Sequence, residues 1–555
     1  MNNLSLNRNV QSTYSPIEKS IYTLLSENCA DYLDKPALSY FDKQITFGNL
    51  FENIDRTAAA LTSLGISKGD VVVVSLPSVP EAVELFYAIN KIGAVFCGMD
   101  CRSNKDEINE TISQVKPKAC FVSDFHLKQF EDIDDVFIIC ISFMKTISLL
   151  SSFASVFVGL FTGRSLLVSR KKNFYWYNTF LKQGKNTPVP EVNFGHDEVC
   201  AYFYTSGTTY GRKCVILTNE NINSSVLQYA YTQPGIDNTD RFCTIMPLFT
   251  CYGITLGTHL PLILGKQVRM IPLFTGKYMK RLLISEKPGY ITTVPAHWEQ
   301  FVKDKFENVD LSFFKGAIIG GDKLSANHED KINNILRKCG SKGKVMRGYG
   351  LTEAGTAVTA QPPETPTGSV GTNMCWSTIG IFEPNTDKPA KNGVKGEICV
   401  CGPNVSKGYL DDEDATNCLL QRHSDGKIWM HSGDIGYLDE NGFLFYCERI
   451  KRIFVRFDGT KMSPYAIEQQ LYKCPAVSHC LVYGIDDTKH AHGKCPAALV
   501  VFKDTYNQDE AKQMLEKFIK TSISYHMRPA KVSVVDVLPT TRNGKLDYFS
   551  SSFNE

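Results

Sequence analysis

Between residues 37 and 122 the chain alternates short apolar runs with amphipathic stretches, and this alternation limits its architecture most strongly. Residues 37–40, 71–75, 94–97 and 119–122 are rich in Val, Phe, Ala and Cys and have strand length. Residues 47–64, closed by Gly65, and 80–91 carry helical periodicity, as do residues 15–32. Strand and helix in turn predict βαβ units around a parallel sheet. With 555 residues, more than one compact unit is expected.

After an apolar run at 199–204 comes Tyr204-Thr205-Ser206-Gly207-Thr208-Thr209-Tyr210-Gly211-Arg212-Lys213, and a helix is expected from Asn219. Hydroxyl residues and glycines ending on Arg-Lys can curl so that backbone N–H groups and hydroxyls face inward. Such a concavity takes phosphate oxygens, and the lysine adds a point charge. The same composition also suits a plain surface turn, so this stretch alone leaves both readings open.

The stretch resembles the phosphate loop of the adenylate-forming, or AMP-binding, superfamily: acyl-CoA synthetases, stand-alone adenylation enzymes and luciferases. The usual form there is Thr-Ser-Gly-Thr-Thr-Gly-x-Pro-Lys-Gly; here Tyr210, Arg212 and Cys214 replace the second glycine, the proline and the last glycine. Further motifs follow in the family's order and extend the resemblance to roughly residues 17–548. Gly320-Gly321-Asp322 follows an apolar run, and a Gly-Gly turn there lets a planar ring approach the backbone. Gly348-Tyr349-Gly350-Leu351-Thr352-Glu353 and Trp429-Met430-His431-Ser432-Gly433-Asp434 come next, then Arg449, Lys451 and Asn543-Gly544-Lys545.

The resemblance implies an α/β fold. A large N-terminal domain of several subdomains with parallel-rich sheets, residues 1–450, would bind ATP and the acyl substrate. A small mobile α+β domain, residues 451–555, would carry the catalytic lysine. Thr205, Ser206, Gly207, Thr208, Thr209 and Lys213 would hold the ATP phosphates. Gly321, Asp322, Tyr349 and Gly350 would hold adenine, and Asp434 and Arg449 the ribose. Thr352 would contact the α-phosphate, Glu353 would hold Mg²⁺, Lys451 would be the hinge and Lys545 the catalytic lysine. Phe249, Thr250, Tyr252, Gly253, Val294 and Gly320 would line the acyl pocket. Thr250 stands where the family usually has histidine, and no aspartate in 247–253 could hold a substrate ammonium, which argues against a free amino acid.

The implied reaction joins a fatty or aryl carboxylic acid to ATP, releases pyrophosphate, and passes the acyl group to CoA. A stand-alone enzyme loading the phosphopantetheine of an acyl carrier protein is the alternative. The loop at 459–468, one residue further from Arg449 than usual, makes thioester formation the less secure of the two steps. A third reading is a nucleotide-binding member without turnover, motivated by Tyr210 and Cys214.

Sixty basic against 58 acidic residues leave no global field to favour nucleic acid. Eighteen scattered cysteines without a CxxC pair predict free thiols in a reducing, cytoplasmic setting and argue against a structural metal. Residues 136–172 break the rhythm: 146–163 carry no charge, and Arg164, Arg170, Lys171 and Lys172 follow. Weak membrane contact through 146–172 stands beside a buried helix or an insertion covering the acyl pocket.

Overall fold

The computed structural model describes residues 14–142, 173–205, 212–233, 235–237, 239, 241–272, 274–487, 490, 492–541, 546–548 and 550. The apolar stretch 146–172 therefore lies outside the described residues. The chain separates into two compact units, one of Met1–Ile379 with Val400–Met430 and one of Gly380–Cys399 with His431–Glu555.

The first unit is built on two seven-stranded sheets. One contains β1 (Pro36–Tyr40), β2 (Lys43–Thr46) and, much later in the chain, β10 (Arg241–Thr244), β11 (Gln267–Met270), β12 (Tyr290–Thr293), β13 (Gly316–Ile319) and β14 (Lys344–Arg347). Its order is β14-β13-β12-β10-β11-β1-β2, parallel except for the hairpin strand β2. The other contains β3 (Val71–Ser75), β4 (Val95–Gly98), β5 (Ala119–Ser123), β6 (Phe137–Ile141), β7 (Phe174–Trp176), β8 (Val199–Tyr204) and β9 (Cys214–Thr218). Its order is β7-β6-β5-β3-β4-β8-β9, with β9 alone antiparallel.

The expected alternation is present, but β1 does not share a sheet with β3. It pairs instead with β11 through Leu38 and Val268. Local periodicity marks a strand without naming its partner, so that pairing was not legible. Helix Lys105–Val115, capped by the reciprocal Asn104 and Glu107 bonds, and strand β9 are additions to the sequence reading. The first helix is shorter than expected. It runs Ile21–Asn28, because the Ser20 hydroxyl accepts from Thr23 N and sets the start there.

Two helices are buried on nearly every side, which places them inside the packed layers and not on the surface. Pro80–Lys91 begins on a proline at its first position, where the missing N–H costs nothing. Asn219–Thr232 starts from a Thr218–Asn221 capping box and buries Asn219, Asn221, Asn223 and Gln228 along with Ile222 and Val226. Buried amides need partners, and the three asparagines find them. Asn219 Oδ1 accepts from Ile21 N and Asn90 Nδ2, Asn221 Nδ2 donates to the carbonyls of Pro403 and Val405, and Asn223 Nδ2 donates to Lys19 O.

In the second unit, Leu444–Arg449 pairs antiparallel with Asp434–Leu438 through a turn closed by Asp439 N and Gly442 N. A three-stranded sheet, Val477–Asp486, Lys494–Phe502 and Lys531–Val534, packs with helices Pro464–Leu471 and Gln508–Ser522 around Ile467, Leu471, Val482, Val500 and Leu515. All eighteen cysteines are free thiols. Among the described residues no helix is long and apolar enough to cross a membrane.

Helix Pro80–Lys91 also buries Glu84, whose carboxyl is pushed up to about 7 by desolvation first and by nearby Glu81 second, although Asn53 Nδ2 donates to it at 2.8 Å. The folded state thus holds a proton that the unfolded chain releases near 4.5, so stability falls as pH rises from about 4.5 to 7 and is flat above. Glu84→Gln keeps the Asn53 bond and removes that loss, worth about 3 kcal/mol. Thermal melts at pH 5 and pH 8 should show a smaller drop in the variant than in the parent.

Candidate active site

Strand β14 ends at Arg347, and the next twelve residues fold back on themselves. Arg347 is buried, ion-paired to Glu329 at 2.8 Å, and its Nη1 donates to Leu324 O, so it also fixes the turn that follows β13. Tyr349 N donates to Thr359 Oγ1, and Tyr349 O accepts from Val358 N and Thr359 N. Gly350 is required by space: a Cβ there would lie 1.7 Å from Thr356 O. A single 3₁₀ turn, Thr352–Ala354, then presents Thr352 and Glu353, and Gly355 closes it at φ +61°. Asn404 clamps this turn, its Nδ2 donating to the carbonyls of Ala354 and Ala357.

Glu353 is held at both ends. Its carbonyl accepts from Ser406 N at 2.8 Å, and its Oε1 accepts from Tyr409 OH at 2.7 Å. The Tyr409 ring also lies under Lys213, whose Nζ is 4.6 Å from the ring centroid and 3.9 Å from Asp412 Oδ2. Thr205 and Lys213 face each other across the base of the loop, with Thr205 N donating to Lys213 O at 2.9 Å. Tyr409 therefore joins the expected metal carboxylate to the expected phosphate lysine. The sequence places it in a Gly-Tyr-Leu triplet and gives it no role; only the fold reveals one.

Ser206, Gly207, Thr208 and Thr209 lie outside the described residues, as does Tyr210. Arg212 is described, and its guanidinium stacks 4.5 Å over the Tyr204 ring. Cys214, where the resemblance expects glycine, sits opposite Tyr204 in strand β9 without a positive φ, and its side chain is buried. No left-handed conformation is needed there, so cysteine is accommodated.

After β13, Gly321 adopts φ +81° and Asp322 Oδ1 accepts from Lys323 N. A Cβ added at Gly320 would meet nothing closer than Tyr252 Cζ at 3.8 Å, which leaves this backbone approachable. Tyr252 sits beneath it, its hydroxyl within hydrogen-bond reach of Ile318 O at 2.8 Å and Thr293 O at 3.2 Å. Thr250 spends its hydroxyl locally: it donates to Pro247 O and accepts from Gly253 N as the N-cap of Cys251–Ile254. Gly253 fits closely, since a Cβ would fall 2.1 Å from Pro247 O. Phe249 lies under the Arg102 guanidinium at 5.8 Å, and Val294 is fully buried between β12 and the turn that follows.

The second unit holds its own constellation. Asp434 is buried and pairs in register with Arg449, Nε to Oδ1 3.2 Å, while the arginine side chain stays half exposed. Glu397 sets the turn before it. Its carboxylate accepts from Gly433 N, Asn385 N and His431 Nδ1, at 3.0, 3.2 and 2.9 Å. These contacts hold the Glu397 carboxyl below its usual range, the His431 bond foremost, against the opposing effect of burial. Cys399 shares the cluster, with donor atoms of all three residues within 4.8 Å. The carboxylate already serves three donors, and burial pushes the thiol far up, so the group reads as a hydrogen-bonded clamp and not as a metal cage. Lys451 lies in the short turn Ile450–Arg452. Lys545 falls outside the described residues.

The model of the AMP-binding enzyme matches residues 25–410, and that of the AMP-binding enzyme C-terminal domain matches residues 466–545. The chain belongs to the AMP-binding enzyme family. Among its relatives are a long-chain-fatty-acid–CoA ligase of Bacillus subtilis, 25% identical over 95% of this chain and 93% of that one, and 4-coumarate–CoA ligase 2 of Nicotiana tabacum, 27% identical over 96% and 94%. The fold matches the anthranilate CoA ligase AuaEII in complex with anthranoyl-AMP, at TM-score 0.80 and 19% identity, covering 97% of each chain. It also matches the o-succinylbenzoate CoA synthetase of Bacillus subtilis with ATP and magnesium, at TM-score 0.74 and 23% identity, covering 96% and 98%.

Two substitutions probe this geometry. Gly350→Ala forces a Cβ into the Thr356 carbonyl and should abolish nucleotide binding in calorimetry. Tyr409→Phe keeps the ring under Lys213 and removes the hydroxyl from Glu353; affinity for MgATP should fall about tenfold, the cost of one hydrogen bond to a charged group.

Proposed function

We propose that this enzyme activates a fatty or aryl carboxylic acid with ATP, forming acyl-AMP and pyrophosphate, and then transfers the acyl group to the thiol of CoA. The observation that carries the reading is the Glu353–Tyr409–Lys213 chain. It brings a carboxylate and a cation to one tyrosine, and that cation ends a stretch whose composition suits phosphate. The Glu353 carboxylate offers a hard oxygen ligand, and only its Oε1 is engaged by Tyr409, which fits a magnesium site. Magnesium bound there would neutralise charge on the departing phosphates.

The first step brings two anions together, so positioning and charge neutralisation are what the protein must supply. A carboxylate oxygen of the substrate attacks the α-phosphorus, and the bond to pyrophosphate breaks. No general base is required, because the acid is already ionised at neutral pH. Thr352 and Lys545 are assigned to the α-phosphate, Thr205 to Thr209 and Lys213 to the β- and γ-phosphates, Tyr349 and Gly321 to adenine. Asp434 is assigned to the ribose hydroxyls: a carboxylate only accepts, so it suits a diol that donates twice. The clamp on Glu397 supports that assignment by fixing the turn before Asp434. In the second step a thiol attacks the acyl carbon and AMP leaves. The division at 450/451, with Lys451 as hinge, and the use of loop 459–468 in that step belong to the same proposal.

The acid class rests on the chain's own pocket segment, whose residues 247–253 carry no charge to hold an ammonium, and on the relatives' acids, fatty in one and hydroxycinnamic in the other. ATP–pyrophosphate exchange against fatty acids of three lengths, benzoates, cinnamates and amino acids tests the reading. Exchange with one acid, followed by acyl-CoA and AMP when CoA is added, is the expected result. Exchange that CoA cannot discharge would point to a carrier-protein thiol, and silence with every acid would remove the reading. Lys545→Ala should lower acyl-adenylate formation about 10²- to 10³-fold and leave much of the ATP affinity in place.

A further inference from the structure

Thr356 is buried and holds φ +117°, a conformation that a β-branched residue adopts only when its surroundings impose it. Two backbone contacts help impose it. Thr356 N donates to Leu351 O at 3.1 Å, and Thr356 O fills the space beside Gly350 that no side chain could share. The third constraint comes from another part of the chain. Thr356 Oγ1 lies 2.6 Å from Thr255 Oγ1 and 3.0 Å from Cys251 Sγ.

The directions of these bonds follow from counting protons. Thr255 Oγ1 lies 2.6 Å from Cys251 O, and a carbonyl can only accept, so the single Thr255 hydroxyl proton goes there. Thr255 must then accept from Thr356. Thr356 has spent its own proton and must accept from the Cys251 thiol. Burial pushes that thiol up to about 12, so it carries its proton at neutral pH and can donate. The result is a closed cycle in which each donor has one acceptor: Cys251 S–H to Thr356, Thr356 O–H to Thr255, Thr255 O–H to Cys251 O.

The cycle ties together two segments that are about a hundred residues apart. On one side is 250–259, which carries Tyr252 and Gly253 and continues through a π-turn, Thr255–His259, whose His259 is pinned between Tyr87 OH and Asn223 Oδ1. On the other side is the tight turn presenting Thr352 and Glu353. We propose that Thr356 is a positioning residue whose hydroxyl locks the Thr352–Glu353 turn to segment 250–259, so that the segment assigned to the acid fixes where the two phosphate- and metal-facing groups stand. This deepens the adenylation reading and rests on it for its catalytic consequence.

Three variants separate the hydroxyl from the strain. Thr356→Ser keeps the hydroxyl, Thr356→Val keeps the shape without it, and Thr356→Gly accepts φ +117° freely and also lacks it. Amide hydrogen exchange over residues 349–359, followed by mass spectrometry, should speed up in the Val and Gly proteins and stay at the parent's rate in the Ser protein. In ATP–pyrophosphate exchange, the Ser protein should keep kcat within about twofold. The Val and Gly proteins should lose about 10- to 100-fold, the scale of a small misplacement of reacting groups, with KM for the acid rising more than KM for ATP. If the Val protein will not fold, the Gly protein carries the same comparison. Parental protection and kcat in the variants without the hydroxyl, or a Ser protein as impaired as they are, would overturn the proposal. A parent inert toward every acid would remove the adenylation reading, while hydrogen exchange would still decide whether the lock exists.

Discussion

A buried amide must be answered, and the first unit is arranged to answer three asparagines on one helix. Asn219–Thr232 lies inside the packed layers, yet it carries asparagines where leucines would be the simpler filling. Asn219 reaches the first helix and Asn90, Asn221 the carbonyls of 403 and 405, and Asn223 both residue 19 and the π-turn through His259. Apolar packing alone would leave those segments free to slide. Directed hydrogen bonds in a low-dielectric interior fix their positions, and the site turns depend on that. Segment 403–406, held by Asn221, in turn supplies Asn404 to the Thr352–Ala354 turn and Ser406 N to Glu353.

Much of the fold was legible because its elements are locally consistent. Pro80 at a first helical turn, Gly65 after residue 64 and the β-branched runs all act within a few residues; the Ser20 cap acts as locally, yet periodicity alone starts the first helix too early. The pairing of β1 with β11 acts across more than two hundred and could not be read this way. The same division runs through the site. Glycine 350, Glu353 and Asp434 stood out as motif positions by resemblance, and the structure supplies the physical reason for Gly350 in a 1.7 Å approach to Thr356 O. Tyr409, Asn404, Glu397 and Thr356 gave little or no signal, because a tyrosine, an amide or a threonine gains a role only from what the fold places beside it.

The departures from the family pattern now separate into kinds. Cys214 occupies an ordinary strand position and disturbs nothing visible. Arg212 stacks on Tyr204 and brings a second cation to the base of the loop beside Lys213. Thr250 uses its hydroxyl to start a helix, so it shapes segment 250–259 from within. These residues change how the scaffold around the assigned groups is braced.

The two bonds from Asn221 to residues 403 and 405 have a consequence for biosynthesis. A ribosome releases residue 221 long before residue 405, so through most of translation this amide has no intended acceptor. Helix Asn219–Thr232 cannot settle into a dry interior until that late segment arrives, because it would bury unanswered polar groups. The polar helix thus makes the dry packing of the first unit conditional on a segment that the chain supplies only late in its synthesis.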